Sequence, residues 1–298
     1  MLTRLLEHNE GLEIEGVDLS QPLDPELSQQ LGKLYDQHGL LVIRGQTLTK
    51  RQLVDATHPF GGPELHPPAD DTDPDAPGIS VISTRGAFGD IVPEEVEDLV
   101  GDIDWHTDQA YIVAPNRGKL IYAVEVPEVG GKTGFLDGQR TYEALPHELK
   151  ERIDGLHVIQ SWRHAQATIA RNKAYRIEGE KVLADDRFPD IAHRLVHEHP
   201  RTGRKVLFVP PLWSSGILEL PGAEGRALLD QLIGHIRKPE FAYWHSYRPG
   251  DVLAWDNWRF LHAAGGTPGK YRRTMWTVVI RGGPVFGRVV EPGEFLAA

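Results

Sequence analysis

The chain has 298 residues, 40% of them apolar and 25% charged, a mix and length that suit a soluble globular protein with a sizeable core. Acidic residues outnumber basic ones 43 to 32, and the resulting formal net charge of −11 argues against nucleic acid as a partner. With no cysteine, disulfides, thiolate metal sites and cysteine nucleophiles are excluded.

The N-terminus, Met1-Leu-Thr-Arg-Leu-Leu-Glu-His8, lacks the apolar stretch and cleavage site of a secretory leader. No run approaches the roughly 18 apolar residues of a membrane span, so the expectation is a cytoplasmic protein. Residues 24–38 read as the first helix: Asp24 can cap it, Pro25 suits its first turn, and Leu27, Leu31 and Leu34 share one face. Gly39 stops it, and 40–44 follows as a short buried strand. Thr49 opens a second helix, with Gln52 placed to complete a capping box. Residues 61–78 are loop-like in their Pro, Asp and Gly content, and 86–102 is acidic and irregular. Strand character returns at 119–126. Residues 142–154 and 223–237 read as amphipathic helices, and 161–190 between them is polar and poorly periodic. His199-Pro-Arg-Thr-Gly203 is turn chemistry between strands at 194–198 and 205–209. The last third is mostly strands, at 241–247, 251–255 and 272–280. Gly265-Gly-Thr-Pro-Gly-Lys270 lacks the spacing of a phosphate loop. Front-loaded helices and many later strands predict a mainly β fold with flanking helices, a β-sandwich or jelly roll (double-stranded β-helix). The whole of 1–298 reads as one domain, with lid segments near 62–103 and 161–190.

The chemistry starts at Trp105-His-Thr-Asp108. In an extended segment residues two apart point to one side, so His106 and Asp108 can reach a common point. An imidazole and a carboxylate so placed make two legs of a 2-His-1-carboxylate triad, which leaves three positions free on Fe(II). The same three letters also fit a surface or hydrogen-bonded histidine. A third ligand must come from another strand. His262, at the end of Trp255-Asp-Asn-Trp-Arg-Phe-Leu-His262, precedes small residues that leave room for a cosubstrate, although a core histidine satisfied by a carbonyl would read alike. Beyond it lies Tyr271-Arg-Arg-Thr-Met-Trp-Thr277. One of the two arginines should point inward, where a guanidinium needs a carboxylate. The distal carboxylate of 2-oxoglutarate, or an ordinary acidic side chain, would supply it.

Together these motifs resemble the taurine dioxygenase / chlorophenoxyacetate dioxygenase family. The similarity runs in order through Ile14-Glu-Gly-Val-Asp-Leu19, Trp105-His-Thr-Asp108, Val126-Pro-Glu-Val-Gly-Gly-Lys-Thr133, Tyr142-Glu-Ala-Leu-Pro146, His199-Pro-Arg-Thr-Gly203, Trp255-Asp-Asn257, His262 and Arg272-Arg273, nearly the whole chain. The resemblance implies that His106, Asp108 and His262 bind Fe(II). It implies that Arg273 takes the distal carboxylate of 2-oxoglutarate and that Thr133 hydrogen-bonds the cosubstrate. The implied reaction consumes O2, releases succinate and CO2, and hydroxylates a C–H bond, with cleavage where that carbon bears a heteroatom. Asp108 favours oxygenation over halogenation, which would need that position vacated. One departure concerns the substrate. The family places a second arginine four positions after Arg273, and here Thr277 stands there. A threonine cannot make the bidentate pair that anchors a sulfonate or carboxylate, which argues against taurine. His66 lies in the loop where the taurine enzyme holds a sulfonate-binding histidine. If Tyr111 or Trp213 faces the cavity, an aromatic or bulky apolar substrate would suit it. Family members are often dimers or tetramers, so a homo-oligomer with a small-molecule substrate is expected.

Two other readings use the same residues. Zn2+ or Mn2+ in the triad could support hydrolysis, with Glu125 or Asp104 as general base. A jelly-roll binding protein with an idle site is the other, and an intact triad together with Arg273 and Thr133 argues against it.

Overall fold

The structure, a computed structural model, describes residues 1–7, 11–64, 76–84, 99–171 and 188–295. Two strands, β1 (Leu2–Leu5) and β2 (Leu12–Glu15), precede helix α1 (Pro25–His38), strand β3 (Leu40–Ile43) and helix α2 (Lys50–Asp55). Strands β4 (Ile79–Ser83), β5 (Leu99–His106), β6 (Gly118–Glu125) and β7 (Thr133–Asp137) lead to helices α3 (Gly138–Glu143) and α4 (His147–Ile153). Strand β8 (His157–Gln160) and helix α5 (Trp162–Arg171) follow, then β9 (Ile191–Arg194), β10 (Val196–Glu198), β11 (Lys205–Leu207) and β12 (Ser214–Ile217). Helix α6 (Ala223–Ile236) comes before the closing strands β13 (Ala242–His245), β14 (Val252–Asp256), β15 (Phe260–Pro268), β16 (Thr274–Ile280) and β17 (Gly287–Val289).

Two sheets face each other and form the double-stranded β-helix. One has seven strands in the order β1-β2-β3-β14-β6-β16-β4, and the other four, β13-β7-β15-β5. Between them lie Leu40, Val42, Ile121, Leu253, Trp255 and Met275 from the first sheet and Phe135, Tyr243 and Phe260 from the second. Strand alternation sends the intervening residues, Leu41, Ile43, Leu120, Tyr122, Val252, Ala254 and Val278, to the opposite face. There α1 and α2 cover them with Leu31, Tyr35, Leu53 and Val54. On the outer side of the four-stranded sheet, Leu136, Leu261 and Ala263 pack against Leu228, Leu229, Leu232 and Ile236 of α6 and against α4. Each sheet therefore has one face in the inner core and one under helices.

Local chemistry fixes the first helices as the sequence predicts. The Asp24 carboxylate accepts from Leu27 N at 2.9 Å, and Gly39 ends α1 in the left-handed region at φ 71°. Thr49 and Gln52 form the reciprocal capping box of α2. One expected helix changes, and two stretches hold more regular structure than their sequence suggests. The helix predicted over 142–154 is two short helices, because Pro146 lacks the amide and the space to continue α3 and instead starts α4. The stretch 161–190 contains α5, while 172–187 lies outside the described residues. The stretch 62–103 holds two sheet strands, β4 and the first half of β5, although 65–75 and 85–98 lie outside the described residues. Among the described residues no helix is long and apolar enough to cross a membrane.

Candidate active site

Strand β5 ends on His106, and the register of the four-stranded sheet sets it directly opposite His262 on β15. The two imidazoles stand 4.1 Å apart between ring centroids. Asp108 follows in the turn after β5, with its Oδ1 3.8 Å from His106 Nε2 and 3.7 Å from His262 Nε2. One ligand atom from each of the three lies within 4.8 Å of the others, so the set can close on a single metal ion.

Several contacts hold this geometry. His106 Nδ1 is 2.8 Å from the carbonyl of Asp104, which places the proton on Nδ1 and leaves Nε2 with a free lone pair. Thr107, fully buried between the two candidate ligands, turns away from them. Its hydroxyl lies 3.1 Å from the carbonyl of Asn257 and 3.0 Å from that of Phe260, fastening the end of β5 to the start of β15. Trp213 Nε1 donates to the Thr107 carbonyl at 2.9 Å. Trp255 packs its ring 5.0 Å from that of His262.

Electrostatics suit a metal centre. Burial pulls the pKa of both imidazoles down, that of His262 well below the usual range with His106 adding to the effect, so both are neutral donors. Burial alone would favour the neutral acid of Asp108. The ammonium of Lys119, 2.7 Å from Oδ2, leads the effects that override it, and the carboxyl is held well below the ordinary carboxylate range. Two neutral imidazoles, one carboxylate and no thiolate form a donor set that suits a borderline divalent metal such as Fe(II).

The triad opens into a cavity of about 360 Å3. Ile82, Ile103, Ile121, Ala263 and Ala264 give it apolar walls, and Thr133, Arg273 and Thr277 bring polar groups into it. Arg273 donates from Nε to the Gly131 carbonyl at 3.3 Å, and its guanidinium lies 5.8 Å from the Tyr247 ring centre. Gly131, at φ 68°, has no side chain to displace it; a Cβ there would sit 3.1 Å from Arg273 Cδ. Among the described residues no carboxylate pairs with Arg273, and burial lowers its pKa. A guanidinium so placed is a receptor for a carboxylate that the chain itself does not supply. Thr133 Oγ1 shares a 2.8 Å hydrogen bond with the Tyr247 hydroxyl, whose pKa burial pushes up to about 12.

The structure thus gathers His106, Asp108, His262, Thr133, Arg273 and Thr277 around one cavity. It places Tyr111 and Trp213 elsewhere. They pack against each other at 4.9 Å and against Trp162 at 4.7 and 5.7 Å, in an aromatic cluster that is not part of the cavity lining. His66 lies outside the described residues. Glu125 and Asp104, the candidate bases for hydrolysis, are exposed, point to Thr274 and Arg237 and do not line the cavity. Sequence reasoning missed Lys119 and Tyr247. Alternation along β6 could have put Lys119 on the same face as Ile121, but its partner, Asp108, comes from the turn after a different strand. Tyr247 carries no sequence signal at all.

The sequence matches the family described as "Taurine catabolism dioxygenase TauD, TfdA family" over residues 3–279. It is 32% identical over 282 residues to the (S)-phenoxypropionate/alpha-ketoglutarate-dioxygenase of Sphingobium herbicidovorans, covering 92% of each chain. It is 29% identical over 303 residues to pentalenolactone F synthase of Streptomyces avermitilis, covering 98% of this chain and 96% of that one. A crystal structure of AAD-2 in complex with Mn(II) and N-oxalylglycine superposes with a TM-score of 0.77 at 25% identity, covering 96% of this chain and 98% of that one.

Proposed function

The chain belongs to the TauD/TfdA family of dioxygenases, and from that premise we propose that it is an iron(II)- and 2-oxoglutarate-dependent dioxygenase acting on a C–H bond of a small organic molecule. The observation that carries the reading is the pairing, in one cavity, of a three-residue metal set with a half-buried arginine that lacks a carboxylate partner among the described residues.

His106, Asp108 and His262 would hold Fe(II). When bound, the metal supplies the redox chemistry by which O2 oxidises 2-oxoglutarate to succinate and CO2 and inserts oxygen into the substrate C–H. The chain's own task is positioning and exclusion of water. His106, oriented through its Nδ1 proton on the Asp104 carbonyl, presents Nε2 without needing to lose a proton. Arg273 would take the distal carboxylate of the cosubstrate in a charge-assisted pair, and the Thr133 and Tyr247 hydroxyls can donate or accept beside it. The apolar walls leave few groups that could intercept an oxidant, and the absence of cysteine removes the most oxidisable side chain. Thr277 lines the cavity with a hydroxyl 3.4 Å from the Ser80 carbonyl, so this position offers the substrate volume and one weak polar contact instead of a fixed positive charge. A cavity of about 360 Å3 suits a small organic molecule beside the cosubstrate.

Anaerobic titration of metal-free protein with Fe(II) and 2-oxoglutarate tests the reading. The visible charge-transfer absorbance of the Fe(II)–2-oxoglutarate complex should appear, and Arg273→Ala should lose it at the same cosubstrate concentration. Folded protein that binds a metal but never develops the absorbance would return the hydrolytic and binding-protein readings to the front.

A further inference from the structure

Among the described residues that line the cavity, Lys119 is the cation paired with a member of the triad. It sits on β6 between Trp255 of β14 and Val279 of β16, in the middle of the seven-stranded sheet. Alternation along β6 puts it on the cavity face with Ile121, which pairs with Thr277 across β16. Its side chain is 18% exposed, and its ammonium lies 2.7 Å from Oδ2 of Asp108. The other carboxylate oxygen, Oδ1, is the one that faces both imidazoles. The two oxygens of Asp108 are therefore differentiated: one belongs to the metal set and one to Lys119.

Resting on the dioxygenase reading above, we propose that Lys119 is a positioning residue that sets the charge and the denticity of the metal centre. By occupying Oδ2 it leaves Asp108 a single oxygen for the metal. A carboxylate free to turn could offer both, and the second would take a position that the cosubstrate needs. The ammonium also acts through its field: it repels a divalent cation and attracts the dianion 2-oxoglutarate. Both effects have the same sign. Lys119 trades metal affinity for cosubstrate affinity, whereas a lysine that only supports packing would strengthen both or neither.

Calorimetric titration of Mn(II) into metal-free protein, followed by 2-oxoglutarate into the Mn(II)-loaded protein, reads the two affinities separately. Lys119→Met should bind Mn(II) roughly tenfold more tightly and 2-oxoglutarate roughly tenfold more weakly than wild type, the size expected for one partly solvated charge. Lys119→Arg, which keeps the charge and the hydrogen-bond donors, should restore both values, and added salt should narrow the gap between Met variant and wild type. Affinities that fall together in Lys119→Met, or stay unchanged, overturn the proposal. Wild-type protein that binds Mn(II) but not 2-oxoglutarate would instead refute the cosubstrate reading. The Mn(II) affinities would then decide for Lys119: tighter binding in the Met variant upholds its effect on the metal, and equal binding overturns it.

Discussion

Thr107 stands between two candidate ligands yet spends its side chain on two carbonyls of the adjoining turn. The aim of His106 and Asp108 is thus set by the junction of β5 with β15, and each of the two residues adds only a donor atom to a preformed place. Removing either donor should therefore cost metal binding and little else. His106→Ala and Asp108→Ala are expected to lose tight Fe(II) uptake while the far-ultraviolet circular dichroism stays that of wild type; iron affinity unchanged in both variants would refute the triad. This part of the site was legible in the sequence because His-x-Asp on an extended segment has a fixed geometric meaning. Lys119 and Tyr247 were not, since their roles come from partners 11 and 114 residues away along the chain. Tyr111 and Trp213 are a different case: their place depends on which way each ring turns, which the sequence does not encode, and here the two rings meet each other in a tilted pair 4.9 Å apart.

At the scale of elements, β6 is packed with unusual closeness where it begins. Gly118 pairs with Asp256 and Ile280, and a Cβ there would run into the Trp255 carbonyl and the Tyr35 hydroxyl. That hydroxyl donates to the same carbonyl at 2.7 Å, joining α1 to β14. Gly118→Ala should lower stability by about 2–4 kcal/mol, because backbone or a buried hydrogen bond must give way. Urea denaturation measures it, and a loss below about 0.5 kcal/mol, the usual range for surface changes, would mean that the strand has slack. Elements with end signals were readable in advance: α1 from Asp24 and Gly39, α2 from its capping box. Pro146 was a readable stop that the apolar period of 142–154 overrode. β15 escaped notice because Ala263-Ala-Gly-Gly266 has no strand propensity, and only its pairing with β5 and β7 makes it extended.

For the whole molecule, two interior histidines, one buried and one half-buried, tie stability to pH. Burial lowers His193 and His197 from 6.5 to about 4, although each ring bonds a backbone carbonyl, those of Ala110 and Trp258. The unfolded chain takes up these protons near pH 6.5 and the folded chain only near 4. Their contribution is therefore complete above pH 6.5 and is lost as the pH falls toward 4, roughly several kcal/mol for the pair. The urea midpoint should drop between pH 7 and 5, and His197→Gln, which keeps a donor near the Trp258 carbonyl, should reduce the drop. A midpoint equally pH-dependent in that variant would remove His197 from the account.

The seven-stranded sheet has one more consequence, which concerns how such a protein can change over generations. On β6, β14 and β16 the odd-numbered positions, among them Lys119, Ile121, Trp255 and Thr277, face the cavity side. The even-numbered ones, Leu120, Tyr122, Ala254 and Val278, face the helices. Parity thus splits each strand into two nearly independent registers of inheritance. A lineage can rewrite the odd register to meet a new compound while the even register goes on satisfying the same helices, so novelty and robustness are stored in alternate letters of one word.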